Sequence, residues 1–204
     1  ATRLAEALRA RVFADIDNWT RAGLALVPVS INAAPVEFMR DNYAERLLRQ
    51  LEKAGIAPSR IELEVTEQTL DERGSLLVIR ALHILRKAGI RVALDDFGTG
   101  HSSLTRLRDF PVDCLKIDSN MVGNFGRDPA ITAVVNAIGQ IGPALSLELV
   151  AEGIETPEQC QMLAAAGFKI GQGHLFSKAV NAQSIAQMLA PASSEALKAQ
   201  TQLA

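Results

Sequence analysis

Apolar residues recur along this chain in two rhythms. Short, almost wholly apolar runs cover residues 24–32, 60–66, 90–95, 114–117 and 146–151, with a weaker one at 168–171. Runs of this length, rich in Val, Ile and Leu, predict strands buried on both faces, as in a parallel sheet. Longer stretches with helical spacing lie between them, at 2–22, 35–54, 70–88, 102–108, 129–142, 157–166 and 182–189. Ala88-Gly89 and Ala166-Gly167 read as helix stops with glycine just past the end. Thr156-Pro157-Glu158 reads as an N-cap followed by proline at the first helical position. On the first helix, Leu4, Leu8, Val12 and Trp19 form the face expected to pack on the sheet. Repeated β/α units of this kind give a doubly wound sheet or a (β/α)8 barrel.

The polar residues choose between these two. Asn32, Glu64 with Glu67, Asp95 with Asp96, Lys116 with Asp118, and Glu152 stand at the C-terminal ends of five successive strands. A barrel builds its active site there from several strands, whereas a doubly wound sheet concentrates its site at one switch point. The expected fold is therefore an α/β, TIM-like (β/α)8 barrel. A full barrel has eight strands and typically about 250 residues. This chain offers six strands and opens on a helix with no strand before it. It is expected to be a barrel lacking its first strands, with two open edges. The domain is placed at residues 1–190, and the Ala/Ser/Gln-rich stretch 191–204 is expected to be a tail.

Composition narrows the partners. The 204 residues are 48% hydrophobic with a net charge of −2, which suits one soluble globular domain with a substantial core. That charge gives no general attraction to DNA, RNA or membrane, so an anionic ligand must be held by local groups. Neither a signal peptide nor an apolar run of the roughly 18 residues a membrane span needs is visible. Cys114 and Cys160 lie in apolar segments without metal-type spacing and read as reduced, buried thiols. A cytoplasmic domain is expected, within a parent protein free to be membrane-attached elsewhere.

Asp95-Asp96 is the strongest chemical signal. Adjacent carboxylates in an apolar setting repel each other and resist desolvation, so a cation between them is expected. At the mouth of a β/α unit a divalent metal is the natural candidate. Capping of the next helix would account for Asp96 but not for both acids. Asp96-Phe97-Gly98 echoes the protein-kinase metal motif, but the chain has neither the Gly-rich loop nor the His-Arg-Asp loop of a kinase upstream. Lys116, flanked by Leu115 and Ile117, needs an anion: Asp118 or Glu152 in a structural ion pair, or a phosphate in a functional one. His83 reads as a surface or half-buried helical position, and His174 as a residue of the mouth that cannot make a metal site by itself.

Taken in order, the motifs resemble one family. Val29-Ser30-Ile31-Asn32, Leu63-Glu64-Val65-Thr66-Glu67, Asp95-Asp96-Phe97-Gly98-Thr99-Gly100, Leu115-Lys116-Ile117-Asp118, Val150-Ala151-Glu152-Gly153-Ile154-Glu155-Thr156 and Gly171-Gln172-Gly173-His174-Leu175-Phe176-Ser177-Lys178 are similar in sequence and spacing to the EAL domains, bacterial phosphodiesterases acting on cyclic di-GMP. Departures are Ala33 for a common serine, His101 for tyrosine and Ala179 for proline. The Glu-Ala-Leu signature, whose glutamate is a metal ligand in the family, is absent from the chain.

The resemblance implies hydrolysis of cyclic di-GMP to linear pGpG at a two-metal site of Mg²⁺ or Mn²⁺. Asn32, Glu64 and Asp95 would hold one metal. Asp95 would bridge to a second, served also by Asp96 and Glu152, and Lys116 would orient the attacking water and stabilise phosphate charge. Glu67 would anchor the loop around residues 97–103. Asp118, Glu155 and Gln172 are assigned to substrate binding or loop anchoring, with capping by Glu155 and an ordinary interior amide at Gln172 as the structural alternatives. A homodimer through the helix after Asp96, and sensor or GGDEF-type domains in the parent protein, are implied in the same way. The alternative is a catalytically silent EAL-type receptor or protein-interaction module. A barrel lyase or aldolase fits the acids but not the ordered motifs.

Overall fold

The computed structural model describes residues 2–39, 42–71, 75–98 and 107–190. They form one sheet of six parallel strands in sequential order: β1 (Val29–Asn32), β2 (Ile61–Thr66), β3 (Arg91–Phe97), β4 (Cys114–Ile117), β5 (Glu148–Ala151) and β6 (Ile170–Gly171). Every neighbouring pair is parallel, and β1 and β6 are the two edges. Nine helices among the described residues cover the outer face: α1 (Thr2–Arg21), α2 (Pro35–Phe38), α3 (Tyr43–Lys53), α4 (Glu67–Asp71), α5 (Ser75–Lys87), α6 (Ser119–Asn124), α7 (Pro129–Ala144), α8 (Pro157–Ala165) and α9 (Ala182–Leu189). The result is an open, TIM-like α/β barrel, as the strand-end pattern anticipates.

Strand alternation divides the two faces of the sheet. Leu63, Val65, Val92, Leu94, Leu115, Ile117, Leu149 and Ala151 point outward, all within 4% of full burial, into one continuous core with the helices. Each Val, Leu or Ile among them contributes roughly 1.5–3 kcal/mol of burial free energy. The inner face carries only a small apolar cluster, Ala93, Cys114 and Val150 with Ile170 against it. Glu62 and Glu64 interrupt β2 at alternate positions, which turns both carboxylates inward. The inner face is therefore the polar one, and it leads to the strand ends.

Several elements differ from the sequence expectation. The run 24–32 becomes a strand only at Val29, because Pro28 has no N–H for a ladder and the Leu26 carbonyl accepts from Arg60 instead. The helix expected over 35–54 divides into α2 and α3, with Asn42 in a non-helical conformation before α3. The 70–88 helix starts three residues earlier, at Glu67, and comprises α4 and α5. Ser146 has a φ of 60°, reversing the chain after α7 so that β5 begins at Glu148 rather than 146. The short α6 carries too little periodic signal to be read from sequence, yet Asp118 caps it by accepting the Asn120 N–H at 2.7 Å.

The first helix packs on the core at Val12 and Trp19 as expected, but not at Leu4 and Leu8. Arg9, Phe13 and Ile16 are buried, while Leu4 and Leu8 are 66% and 59% exposed. Trp19 is half-buried and its indole donates to the Ala182 carbonyl at 3.2 Å. The helix stops and the cap are as read: Gly89 and Gly167 take φ values of 100° and 101°, and the Thr156 hydroxyl accepts the Gln159 N–H. Cys114 and Cys160 are free thiols, the first buried and the second half-buried. His83 is exposed. The expected helix at 102–108 lies outside the described residues except for Leu107 and Arg108, as does the expected tail at 191–204.

Candidate metal centre

The parallel register assembles the strand ends. Asn32 pairs with Glu64, Thr66 with Asp95, and Lys116 with Val150. Between β3 and β4 the register slips: Leu94 faces Leu115 and Phe97 faces Ile117, so Asp95 and Asp96 together stand opposite Lys116. Asp96 takes a left-handed φ of 54°, the conformation of a bulge. In a regular strand two neighbours point to opposite faces. The extra residue re-aims Asp96, and carboxylate oxygens of Asp95, Asp96 and Glu152 come within 4.8 Å of one another. A non-glycine residue in this region costs of order 1 kcal/mol, least for Asn and Asp. The Asp96 N–H donates to Asp95 Oδ1 at 3.1 Å and helps hold the bend.

Lys116 is the cation of the cluster. Only 5% exposed, it places Nζ 2.6 Å from Glu64 Oε1, 3.5 Å from Asp95 Oδ1 and in an ion pair with Glu152. Burial opposes its charge, but the bonds to Glu152 and Glu64 outweigh that and hold the ammonium above the usual lysine range. Burial pushes the Glu152 carboxyl up, against the pull of Lys116, with Asp95 and Glu64 adding to the rise. Asp96 is raised by desolvation and then by the nearby charges of Asp95 and Asp118, with Lys116 opposing. One ammonium cannot neutralise four carboxylates, and the cluster keeps a formal excess of negative charge. Three oxygens at this spacing form the hard, anionic donor set that small divalent cations take.

The remaining candidates are placed around this core. Asn32 is exposed at the end of β1, beside Glu64. Glu67 is 4% exposed and begins α4 directly after β2. Gly98 is the last described residue of the loop assigned to Glu67; residues 99–106 lie outside the described residues. Asp118 is a helix cap and lies near enough to raise Asp96, but the ion-pair partners of Lys116 are Glu64, Asp95 and Glu152. Glu155 is exposed and leaves the capping of α8 to Thr156 and Gln159. Gln172 is exposed, while its backbone extends β6 by bonding to Ala151 and Ile154. It lies between the open barrel interior, a cavity of about 420 Å³, and a mouth of about 410 Å³ that Glu152, Glu155, His174 and Lys178 also line. Lys178 at this mouth closes the last motif, but a single lysine after Ser177 carries no sequence signal of a site role.

Comparison with known proteins agrees with this geometry. The model of the EAL domain matches residues 1–179. The chain belongs to the EAL domain family. It is 34% identical over 168 residues to cyclic di-GMP phosphodiesterase NbdA of Pseudomonas aeruginosa, a match covering 82% of this chain and 21% of NbdA. Its fold is similar to the MucR phosphodiesterase in complex with cyclic di-GMP, with a TM-score of 0.83 and 29% identity, covering 90% of this chain and 74% of that one. It also resembles Klebsiella pneumoniae BlrP1 in a complex with manganese and cyclic di-GMP, with a TM-score of 0.77 and 29% identity over 86% of this chain and 44% of BlrP1. This EAL domain spans about a fifth of the length of the first curated relatives it matches. Among the described residues no helix is long and apolar enough to cross a membrane.

Proposed function

We propose that this EAL domain is the hydrolytic module of a longer bacterial signalling protein and opens cyclic di-GMP to linear pGpG with Mg²⁺ or Mn²⁺. The observation that carries the reading is the convergence of Asp95, Asp96 and Glu152 beside buried Lys116, which pairs with Asp95 and Glu152. Relatives named as cyclic di-GMP phosphodiesterases, and solved relatives holding that nucleotide with manganese or calcium, support substrate and cofactor class. Asn32, Glu64 and Asp95 would hold one cation, and Asp95, Asp96 and Glu152 the other. Such ions supply Lewis-acid polarisation of the phosphodiester and an activated water.

The chain's own groups do the positioning. The Asp96 bulge brings the acids together, and Lys116 limits their repulsion and presents a fixed positive charge to the phosphate. By resemblance to the family Glu67 would serve as a loop anchor, and Gln172, Asp118 and Glu155 would border the substrate. The domain works in the cytoplasm as a homodimer, alongside sensor or GGDEF-type domains of the parent protein.

The test is Mn²⁺-dependent hydrolysis of cyclic di-GMP by this chain and by a form extended about 80 residues upstream, roughly two β/α units of a barrel of this size. Turnover by the longer form, with pGpG as product, is expected; the shorter chain should turn over slowly or not at all. Nucleotide binding without hydrolysis by the longer form would instead establish a receptor and remove the catalytic roles of Asp95, Asp96 and Lys116.

A further inference from the structure

The inner face of the sheet carries a second ionic layer that the proposed reaction does not use. Arg91 Nε lies 3.3 Å from Glu62 Oε2, and its Nη2 donates to Glu148 Oε2 at 2.5 Å. Ser30 Oγ donates to Glu62 Oε1 at 3.0 Å. Arg91 stands on β3 and Glu148 on β5, so the guanidinium reaches across β4, where the side chain in register is the small Cys114. Ala93, Cys114 and Val150 then separate this layer from the acids at the strand ends.

The same three strands build both layers. β2 contributes Glu62 below and Glu64 above, and β3 contributes Arg91 below and Asp95 above. β5 contributes Glu148, and the residue just past its end is Glu152. Strand alternation puts each pair on one face. At about 3.3 Å per residue, the layers lie about 7 Å apart along β2 and about 13 Å apart along β3 and β5. Both layers close on a cation that ties β2 to β5: Arg91 below through Glu62 and Glu148, Lys116 above through Glu64 and Glu152.

Stability does not explain the arm of this layer from Arg91 to Glu148. The side chains of Arg91 and Glu148 are 41% and 42% exposed, and ion pairs so open to solvent stabilise a fold little. A guanidinium does something else well: its planar fork holds two carboxylates at a set separation. We propose that Arg91 is a positioning residue, a strut that sets the spacing of β2 and β5 and thereby the separation of Glu64 and Glu152 at the metal centre. This rests on the metal reading given above.

The experiment is the affinity of the upstream-extended form for Mn²⁺, by calorimetric titration well below the melting temperature, for the unaltered protein, R91M, R91K and R86M. Arg86 is the control, since it pairs with Asp113 at 2.6 Å on the outer side of the sheet and ties none of the strands bearing Glu64 and Glu152 to one another. R91M should weaken Mn²⁺ binding roughly 10–100-fold, the range for loss of a group that orients ligands. R91K, with one point of attachment, should recover part of it, and R86M should bind as the unaltered chain does. If R91M fails to fold, E148Q, which cuts one arm of the strut, should show a smaller weakening. Unchanged affinity in folded R91M or E148Q, or an equal loss in R86M, overturns the strut while leaving the metal centre standing. No Mn²⁺ binding by the unaltered upstream-extended form overturns the metal reading and the strut with it.

Discussion

Among the described residues, an ion cluster under α1 and the one at the strand ends are each built on a buried cation, and the contrast between them separates chemistry from architecture. Beneath α1, Arg9 and Glu37 pair at 2.7 Å with side chains 5% and 1% exposed, and Arg46 and Glu6 lie 3.9 Å apart nearby. Cations and anions balance there. The second Glu37 oxygen accepts the Ala34 N–H, which opens α2. At the strand ends, Lys116 faces Glu64, Asp95 and Glu152, with Asp96 close by, and the negative charges outnumber the positive. Both clusters bear the cost of desolvation, but only one is left wanting a further cation. Imbalance in a buried cluster is the mark of a site that binds something.

The sharpest way to break this contrast is to neutralise one acid. Asp95→Asn should abolish metal-dependent hydrolysis, with a loss beyond the roughly 10–100-fold that follows removal of an outer partner of a metal site. Steady-state turnover in the extended form, with circular dichroism to check the fold, decides it. The opposite pattern is expected under α1. Arg9→Met strands the Glu37 carboxylate in the core and should cost about 3–5 kcal/mol of stability in denaturant unfolding, with Mn²⁺ affinity of the folded protein unchanged.

A smaller effect tests the sign of the imbalance. Asp96→Asn removes a surplus charge at a left-handed position that asparagine also tolerates. Metal-free protein should gain stability, by less than about 1 kcal/mol once solvent screening is allowed for. A lowered melting temperature would mean that the cluster is already balanced.

Acidity probes the same point most gently. Asp96 and Glu152 hold their protons to a higher pH than ordinary carboxyls do. Protonated oxygens do not bind metal, so Mn²⁺ affinity should begin to fall above the normal carboxylate range as pH is lowered. Linkage runs the other way for the metal-free fold. A carboxyl whose folded pKa is raised adds stability as pH falls through that value, so mild acidification should not weaken it through these two groups. Affinity that stays level until the ordinary range would contradict the raised values.

Much of this was legible in the chain itself. The alternation of short apolar runs with helical stretches marks the parallel sheet, and polar residues closing successive strands mark the rim on which Glu64, Asp95, Lys116 and Glu152 meet. Each is a local property: period two or 3.6 for the elements, and a charged residue where an apolar run stops. Gly89, Gly167 and Thr156 ended or began helices as read, because capping depends on one or two residues.

Features that depend on which strands are neighbours were not legible. The three partners of Lys116 come from β2, β3 and the end of β5, and sequence alone suggested Asp118 or Glu152. On α1, Val12 and Trp19 pack inward as their spacing suggests, but Leu4 and Leu8 only look like core, and the buried charge of Arg9 becomes affordable only beside Glu37. That two adjacent aspartates share one site follows from a register slip between β3 and β4, a property of the pair of strands and of neither alone. The sequence by itself determined the six strands, the longer helical stretches, their order and the residue types at the rim, since those follow from local periodicity. The tertiary structure alone decided which charges meet and which balance, because burial and register are properties of the packed sheet.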